Sequence, residues 1–117
     1  MKRILIVDDD ASVREVLTRA LSSLYEVAAA HDGPEALTLA EQQQVDLVIT
    51  DYLMPVMTGE ELIVRFREVQ PSAKVLMITG HGDLLDREGP DWWRDVAHLG
   101  KPFRIQALRE TVASMFA

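Results

Sequence analysis

A chain of 117 residues, 48% hydrophobic and 26% charged, is long enough to bury a core without staples and has an ordinary globular composition, so residues 1–117 read as one domain. Twelve basic against nineteen acidic residues leave a net charge of −7, a field that repels nucleic acid and anionic membrane. The lack of cysteine removes disulfides, thiol nucleophiles and Cys-metal sites together, and no apolar run approaches a membrane span or a signal peptide, which predicts a cytoplasmic protein.

Ile4, Leu5, Ile6 and Val7 form a continuous apolar run, the pattern of a strand buried on both faces. It runs directly into Asp8, Asp9 and Asp10. Val13, Val16, Leu17, Ala20, Leu21 and Leu24 then recur at helical spacing, predicting an amphipathic helix whose N-terminal end suits the acidic residues before it. Residues 25–30 predict a second strand, small and partly polar enough for a sheet edge. His31-Asp32-Gly33-Pro34 is turn chemistry leading into a helix with Pro at its start; Ala36, Leu37 and Ala40 supply its narrow stripe. Residues 45–50 predict the third strand, ending at Asp51, and Pro55 prevents its extension. Thr58 or Gly59 opens a third helix with Glu60 and Glu61 in its first turn and Leu62, Ile63, Phe66 and Val69 facing inward.

Residues 75–78 predict the fourth strand, ending at Thr79-Gly80-His81-Gly82. The stretch after it is the least regular in the chain. Residues 83–88 predict one or two helical turns, Gly89-Pro90 breaks them, and Asp91-Trp92-Trp93-Arg94 restarts them. Residues 96–99 predict a fifth strand ending at Lys101-Pro102, and Ile105, Leu108, Val112 and Met115 or Phe116 mark a closing helix.

Strands alternating with helices imply right-handed crossovers and an α/β fold with a parallel sheet. In a doubly wound, five-stranded sheet of order 2-1-3-4-5, with helices on both faces, strands one and three flank the switch point where ligands collect. Asp8 and Asp9, Asp51, Thr79 and Lys101 all follow strand ends and are therefore expected at one mouth. Clustered carboxylates without His or Cys favour a hard cation such as Mg²⁺, which accepts carboxylate and phosphate oxygens. A carboxylate can also attack phosphorus, and a divalent ion, an ammonium and a hydroxyl would each stabilise that transition state.

Val7-Asp8-Asp9-Asp10, the run Asp51-x-x-Met54-Pro55, Thr79-Gly80 and Lys101-Pro102-Phe103 together resemble the receiver domain of bacterial two-component response regulators, of the flavodoxin-like, chemotaxis-regulator type. The resemblance spans the chain. It implies that Asp51 accepts a phosphoryl group from a phosphohistidine of a sensor histidine kinase or phosphotransfer protein. It further implies that Asp9 and Asp51 hold Mg²⁺ through carboxylates, Asp8 through water and Leu53 through its backbone carbonyl. Lys101 would pair with the phosphoryl group or with Asp51, Thr79 would swing inward to the new oxygens, and Lys101-Pro102 would be a cis peptide.

Three departures from the family pattern matter. His98 stands three residues before the lysine, where Phe or Tyr is usual; an imidazole titrates near neutral pH, although a packed, half-buried ring is the plainer expectation. Leu53 stands two residues past Asp51, where a polar side chain often positions hydrolytic water, which predicts slow loss of the phosphoryl group; His81, in the corresponding place after Thr79, reads as a solvated loop residue. Arg94-Asp95 replaces the usual Gly-Ala turn, and of the adjacent Trp92 and Trp93 one is expected in the core and one partly exposed. Asp10 reads as a helix-start charge, Glu60 and Glu61 as a solvated first turn, His31 as a loop residue, and Met54, Met57 and Met77 as packing.

The resulting expectation is a phosphorylation-dependent switch, not a turnover enzyme, that presents a downstream partner with a face built from the fourth helix, fifth strand and fifth helix, with Trp92, Trp93 and His98 as candidate anchors. Direct nucleic-acid or membrane binding is not expected, and a homodimer stays open. Two alternatives remain: a phosphate-independent pseudo-receiver, and a Mg²⁺-dependent phosphohydrolase, against which Leu53 speaks because such enzymes commonly need a carboxylate there.

Overall fold

The structure, a computed structural model, describes residues 1–80 and 82–117, at 83 and 84 through the backbone. Five strands, β1 (Arg3–Val7), β2 (Glu26–Ala30), β3 (Leu47–Asp51), β4 (Lys74–Thr79) and β5 (Ala97–Gly100), alternate with helices α1 (Ala11–Leu21), α2 (Gly33–Gln42), α3 (Gly59–Val69), α4 (Gly82–Glu88) and α5 (Ile105–Phe116). The strands form one parallel sheet in the order β2-β1-β3-β4-β5. The doubly wound α/β expectation is met, and β2 is an edge.

The continuous apolar runs of β1, β3 and β4 follow from this layering, because these central strands are covered on both faces, whereas the edge strands β2 and β5 are partly exposed. Leu5, Val7, Val48, Val75 and Met77 face one core with Ala36, Ala40, Leu62, Ile63 and Phe66 from α2 and α3. Their neighbours Ile4, Ile6, Leu47, Ile49, Leu76 and Ile78 face the other core with Leu17, Ala20, Leu21, Leu108 and Val112 from α1 and α5.

Local chemistry sets the helix starts. Asp10 caps α1 by accepting the Ser12 amide at 2.8 Å, Asp32 caps α2 by accepting that of Glu35 at 2.9 Å, and Thr58 caps α3 by accepting that of Glu61 at 3.2 Å. These satisfy amides that have no partner within the helix. Gln70 ties α2 to the start of β3: its side chain accepts from the Val45 amide at 2.7 Å and donates to the Ala40 carbonyl at 2.8 Å.

The α1 stripe is narrower than its periodicity predicts. The helix stops at Leu21, leaving Leu24 59% exposed beyond its end, and Val16 is 46% exposed because Leu17, about 100° round the helix, takes the core-facing place. Val69, predicted to face inward, is 41% exposed in the last turn of α3.

After α4 the chain changes character. Gly89 donates to the Leu85 carbonyl at 2.8 Å, and a Cβ on it would meet that oxygen at 2.3 Å, so only glycine permits this exit. A 3₁₀ turn, Asp91–Asp95, then carries the tryptophans. Trp93 is 1% exposed and belongs to the core, which removes it from the predicted surface anchors. Its indole N–H donates to Asp86 Oδ1 at 2.9 Å, satisfying the one polar group it buries. Trp92 is half-buried and leans toward α3, donating to Glu60 Oε1 at 2.9 Å and bordering a groove with Ile63, Val64 and Arg67. Glu60 is therefore engaged with an indole and is more than a solvated first-turn charge.

Candidate functional site

The parallel order delivers five strand ends to one rim. Asp8 follows β1, Asp51 ends β3, Thr79 ends β4, and Lys101 follows β5. In register, Asp51 lies opposite Ile78, so Thr79 is one residue further along the adjacent strand. The Lys101 amide donates to the Thr79 carbonyl at 2.8 Å, which pins the exit of β5 to the end of β4. The Lys101-Pro102 peptide is cis.

Lys101 is the centre of the cluster. Its Nζ donates to Asp51 Oδ2 at 2.8 Å and to Asp8 Oδ2 at 3.1 Å, joining residues 50 and 93 positions away in sequence. Asp8 is nearly sealed from solvent and Asp51 is mostly covered, while Asp9 is exposed. One oxygen from each of the three carboxylates lies within 4.8 Å of the others. Three carboxylates and one ammonium leave the rim with a formal surplus of two negative charges.

The hydrogen bonds around Asp8 fix its orientation. Its amide donates to the Ala30 carbonyl at 3.2 Å, and its Oδ1 accepts the Asp10 amide at 2.9 Å. Burial pushes the Asp8 pKa above the ordinary 3.8, and the Asp10 amide and Lys101 only partly oppose it. For Lys101 burial acts downward, but its hydrogen bonds and charge attraction to Asp51 and Asp8 outweigh it, so its pKa lies above 10.5.

The loop beyond Asp51 is closely packed on one side and open on the other. Gly59, at the start of α3, donates to the Tyr52 carbonyl at 2.8 Å, and a Cβ there would meet the Asp51 carbonyl oxygen at 2.4 Å. Leu53 is 53% exposed. Met57 and Met77 are buried and Met54 packs beside them, in keeping with a packing role. Tyr52, which sequence reasoning passed over, is 6.2 Å from Trp92 and 6.3 Å from Trp93 between ring centroids. His81, expected to be a solvated loop residue, lies outside the described residues.

His98 is packed as a side chain one-third exposed. Its ring stacks on Trp93 with centroids 4.2 Å apart, Nδ1 is 3.1 Å from the Val96 carbonyl, and Nε2 is 3.6 Å from the Asp86 carboxylate that also receives the Trp93 indole. Arg14, which sequence reasoning did not single out, donates from Nη1 to the Asp8 carbonyl at 2.6 Å.

A doubly wound 2-1-3-4-5 sheet with an acidic trio, a buried threonine and a lysine at its switch point defines a receiver domain. The response regulator receiver domain family matches residues 4–113, and the chain belongs to it. Over 116 residues it is 34% identical to the response regulator receiver protein CpdR of Brucella abortus, covering 98% of this chain and 97% of that protein. It is 39% identical over 117 residues to the response regulator MprA of Mycobacterium tuberculosis, where it spans about half of the longer protein, 49%. The response regulator TrrA of Thermotoga maritima, solved in complex with Mg²⁺-BeF, superposes with a TM-score of 0.83 at 33% identity over 97% of this chain and 98% of that one.

Receiver domains bind Mg²⁺ at an acidic pocket, and the donor set here fits such an ion: three carboxylates within reach of one another, no nitrogen or sulfur ligand among them, and one side exposed through Asp9. No described helix is long and apolar enough to cross a membrane.

Proposed function

We propose that this chain, with residues 1–117 acting as one receiver unit, is a phosphorylation-dependent signalling switch whose phosphoacceptor is Asp51. The observation that carries this reading is the Lys101 ammonium held between Asp51 at 2.8 Å and Asp8 at 3.1 Å, beside an open acidic cluster. An Asp51 carboxylate oxygen attacks the phosphorus of a phosphohistidine on a sensor kinase or phosphotransfer protein. The new O–P bond forms as the P–N bond breaks, and the electron pair leaves with the imidazole. Asp9 and Asp51 would hold a Mg²⁺ ion directly, Asp8 through water and Leu53 through its backbone carbonyl, and the ion would supply positive charge against the phosphoryl oxygens. Lys101 moves its ion pair from the Asp51 carboxylate to the phosphoryl group, and Thr79 supplies a hydroxyl donor from the neighbouring strand end.

A donor must cover the rim to reach Asp51. Beside Lys101 an apolar groove lined by Val13, Val16, Pro102 and Phe103 offers a seat for it and accounts for the exposed Val16. The output is a change in surface at α4, β5 and α5, where a downstream protein partner binds. Trp92, the half-buried indole over α3, widens that face. The exposed Leu53 side chain has no group to orient hydrolytic water, so the acyl phosphate persists and the protein switches without turning over substrate.

Incubation with acetyl phosphate and Mg²⁺ is expected to add one phosphoryl mass increment, absent in Asp51→Asn. Followed in time, that increment is expected to decay about tenfold faster in Leu53→Asn, roughly the effect of one hydrogen bond in the hydrolytic transition state. An unmodified wild-type protein would return the reading to a phosphate-independent interaction module.

A further inference from the structure

We infer that Arg14 is a positioning residue for the acidic site, acting through the backbone of Asp8. The inference rests on the proposed metal-assisted phosphoacceptor chemistry. Arg14 is the fourth residue of α1, near the end of the helix whose free amides favour anions and disfavour cations. Among the described residues it forms no ion pair. Instead its half-buried side chain turns back six residues and donates from Nη1 to the Asp8 carbonyl at 2.6 Å.

That contact completes the set of hydrogen bonds at Asp8. The amide is spent on Ala30, Oδ1 on the Asp10 amide, Oδ2 on Lys101 and the carbonyl on Arg14. Asp10 in turn caps α1 through Ser12. The turn that aims Asp8 and Asp9 at Asp51 is thus clamped from β2 on one side and from α1 on the other. The Asp8 carbonyl belongs to the peptide that joins Asp8 to Asp9, so fixing it sets the direction of both side chains. Groups that orient a metal's ligands from behind typically change its affinity by about 10- to 100-fold.

The sign of the effect separates positioning from plain electrostatics. As a nearby positive charge Arg14 repels a cation, so its removal by charge alone would tighten Mg²⁺ binding. As a clamp it preorganises the acidic pair, so its removal weakens binding. Titration calorimetry with MgCl₂ alone on wild type, Arg14→Gln and Arg14→Lys tests this, with circular dichroism confirming that each is folded. We expect about tenfold weaker binding in Arg14→Gln and recovery of most of that loss in Arg14→Lys, which keeps a cationic donor of similar reach. Equal or tighter binding in Arg14→Gln overturns the inference. If Arg14→Gln does not fold, Arg14→Lys is the decisive variant: affinity within about threefold of wild type supports a donor role, and a tenfold loss overturns it. Should wild type bind Mg²⁺ and accept phosphoryl from acetyl phosphate while Arg14→Gln matches it in both, only the role of Arg14 fails. Should wild type do neither, the phosphoacceptor reading fails with it.

Discussion

At Asp8 a carboxylate 2% exposed sits in contact with Lys101, yet burial still holds its pKa above 3.8. Between the unfolded and folded values the folded protein binds the extra proton, so stability falls as pH rises through that window. The penalty is complete above the folded value and absent below 3.8. Lys101 has the opposite linkage: its raised pKa contributes stability that is present below 10.5 and is lost as pH rises through the folded value. Asp8→Asn removes the costly charge and leaves Lys101 its shorter bond to Asp51. Without metal at pH 7 this variant is expected to melt a few degrees higher than wild type, at about 3–6 °C per kcal/mol for a chain of this size. The gap should narrow as pH is lowered toward 3.8. A lower melting temperature at pH 7 would show that the ion pair, not burial, dominates at this position.

The loop between β3 and α3 carries a second cost, in its backbone. Val56 has φ of 75° and is 81% exposed, so a β-branched residue sits in the left-handed region with little packing to compensate. Such strain costs about 1–3 kcal/mol, whereas glycine adopts the conformation freely but adds about 0.4–1 kcal/mol of unfolded-chain entropy. Strain outweighs that entropy, so Val56→Gly is expected to stabilise the fold by about 1 kcal/mol in urea denaturation; no gain, or a loss, would show that the loop relaxes around valine. Gly59 behaves differently. A Cβ there meets backbone, the Asp51 carbonyl oxygen, at 2.4 Å, so α3 can approach the end of β3 this closely only with glycine. At the far end of the sheet the shortened α4, the glycine exit and the 3₁₀ turn act as one unit, burying Trp93 against the core and presenting its indole N–H to Asp86.

For the molecule as a whole, a net charge of −7 and three carboxylates gathered at one rim mean that self-repulsion and cation binding are linked. A divalent ion that binds only the folded state at about 100 times its Kd stabilises it by about 2.7 kcal/mol. Mg²⁺ is therefore expected to raise the melting temperature in a concentration-dependent way, and Asp9→Ala to lose most of that rise, because Asp9 is the exposed member of the acidic trio and its removal leaves the folded core intact. An equal Mg²⁺ response in Asp9→Ala would place the ion elsewhere. The parallel sheet gives this rim its one-sidedness: all five strands end there, so Asp51, the Lys101 ammonium and the Asp8–Asp9 pair share one surface while the two apolar cores remain sealed behind them.

Strand positions, the sheet order and the meeting of Asp8, Asp9, Asp51, Thr79 and Lys101 at one edge were all open to inference from the chain. Each strand is a short apolar run with its polar residue at the end, and right-handed crossovers leave little freedom in how such units assemble. Helix starts were also local, written in Asp10, Asp32 and Thr58. Packing between distant parts of the chain decided the rest. Two adjacent tryptophans look alike as a pattern, and only the path of the turn after Gly89 sends Trp93 inward and Trp92 toward Glu60. In the same way the left-handed backbone at Val56, the stacking of His98 on Trp93 and the reach of Arg14 back to the Asp8 carbonyl depend on where neighbouring elements come to rest, a three-dimensional constraint that local periodicity does not encode.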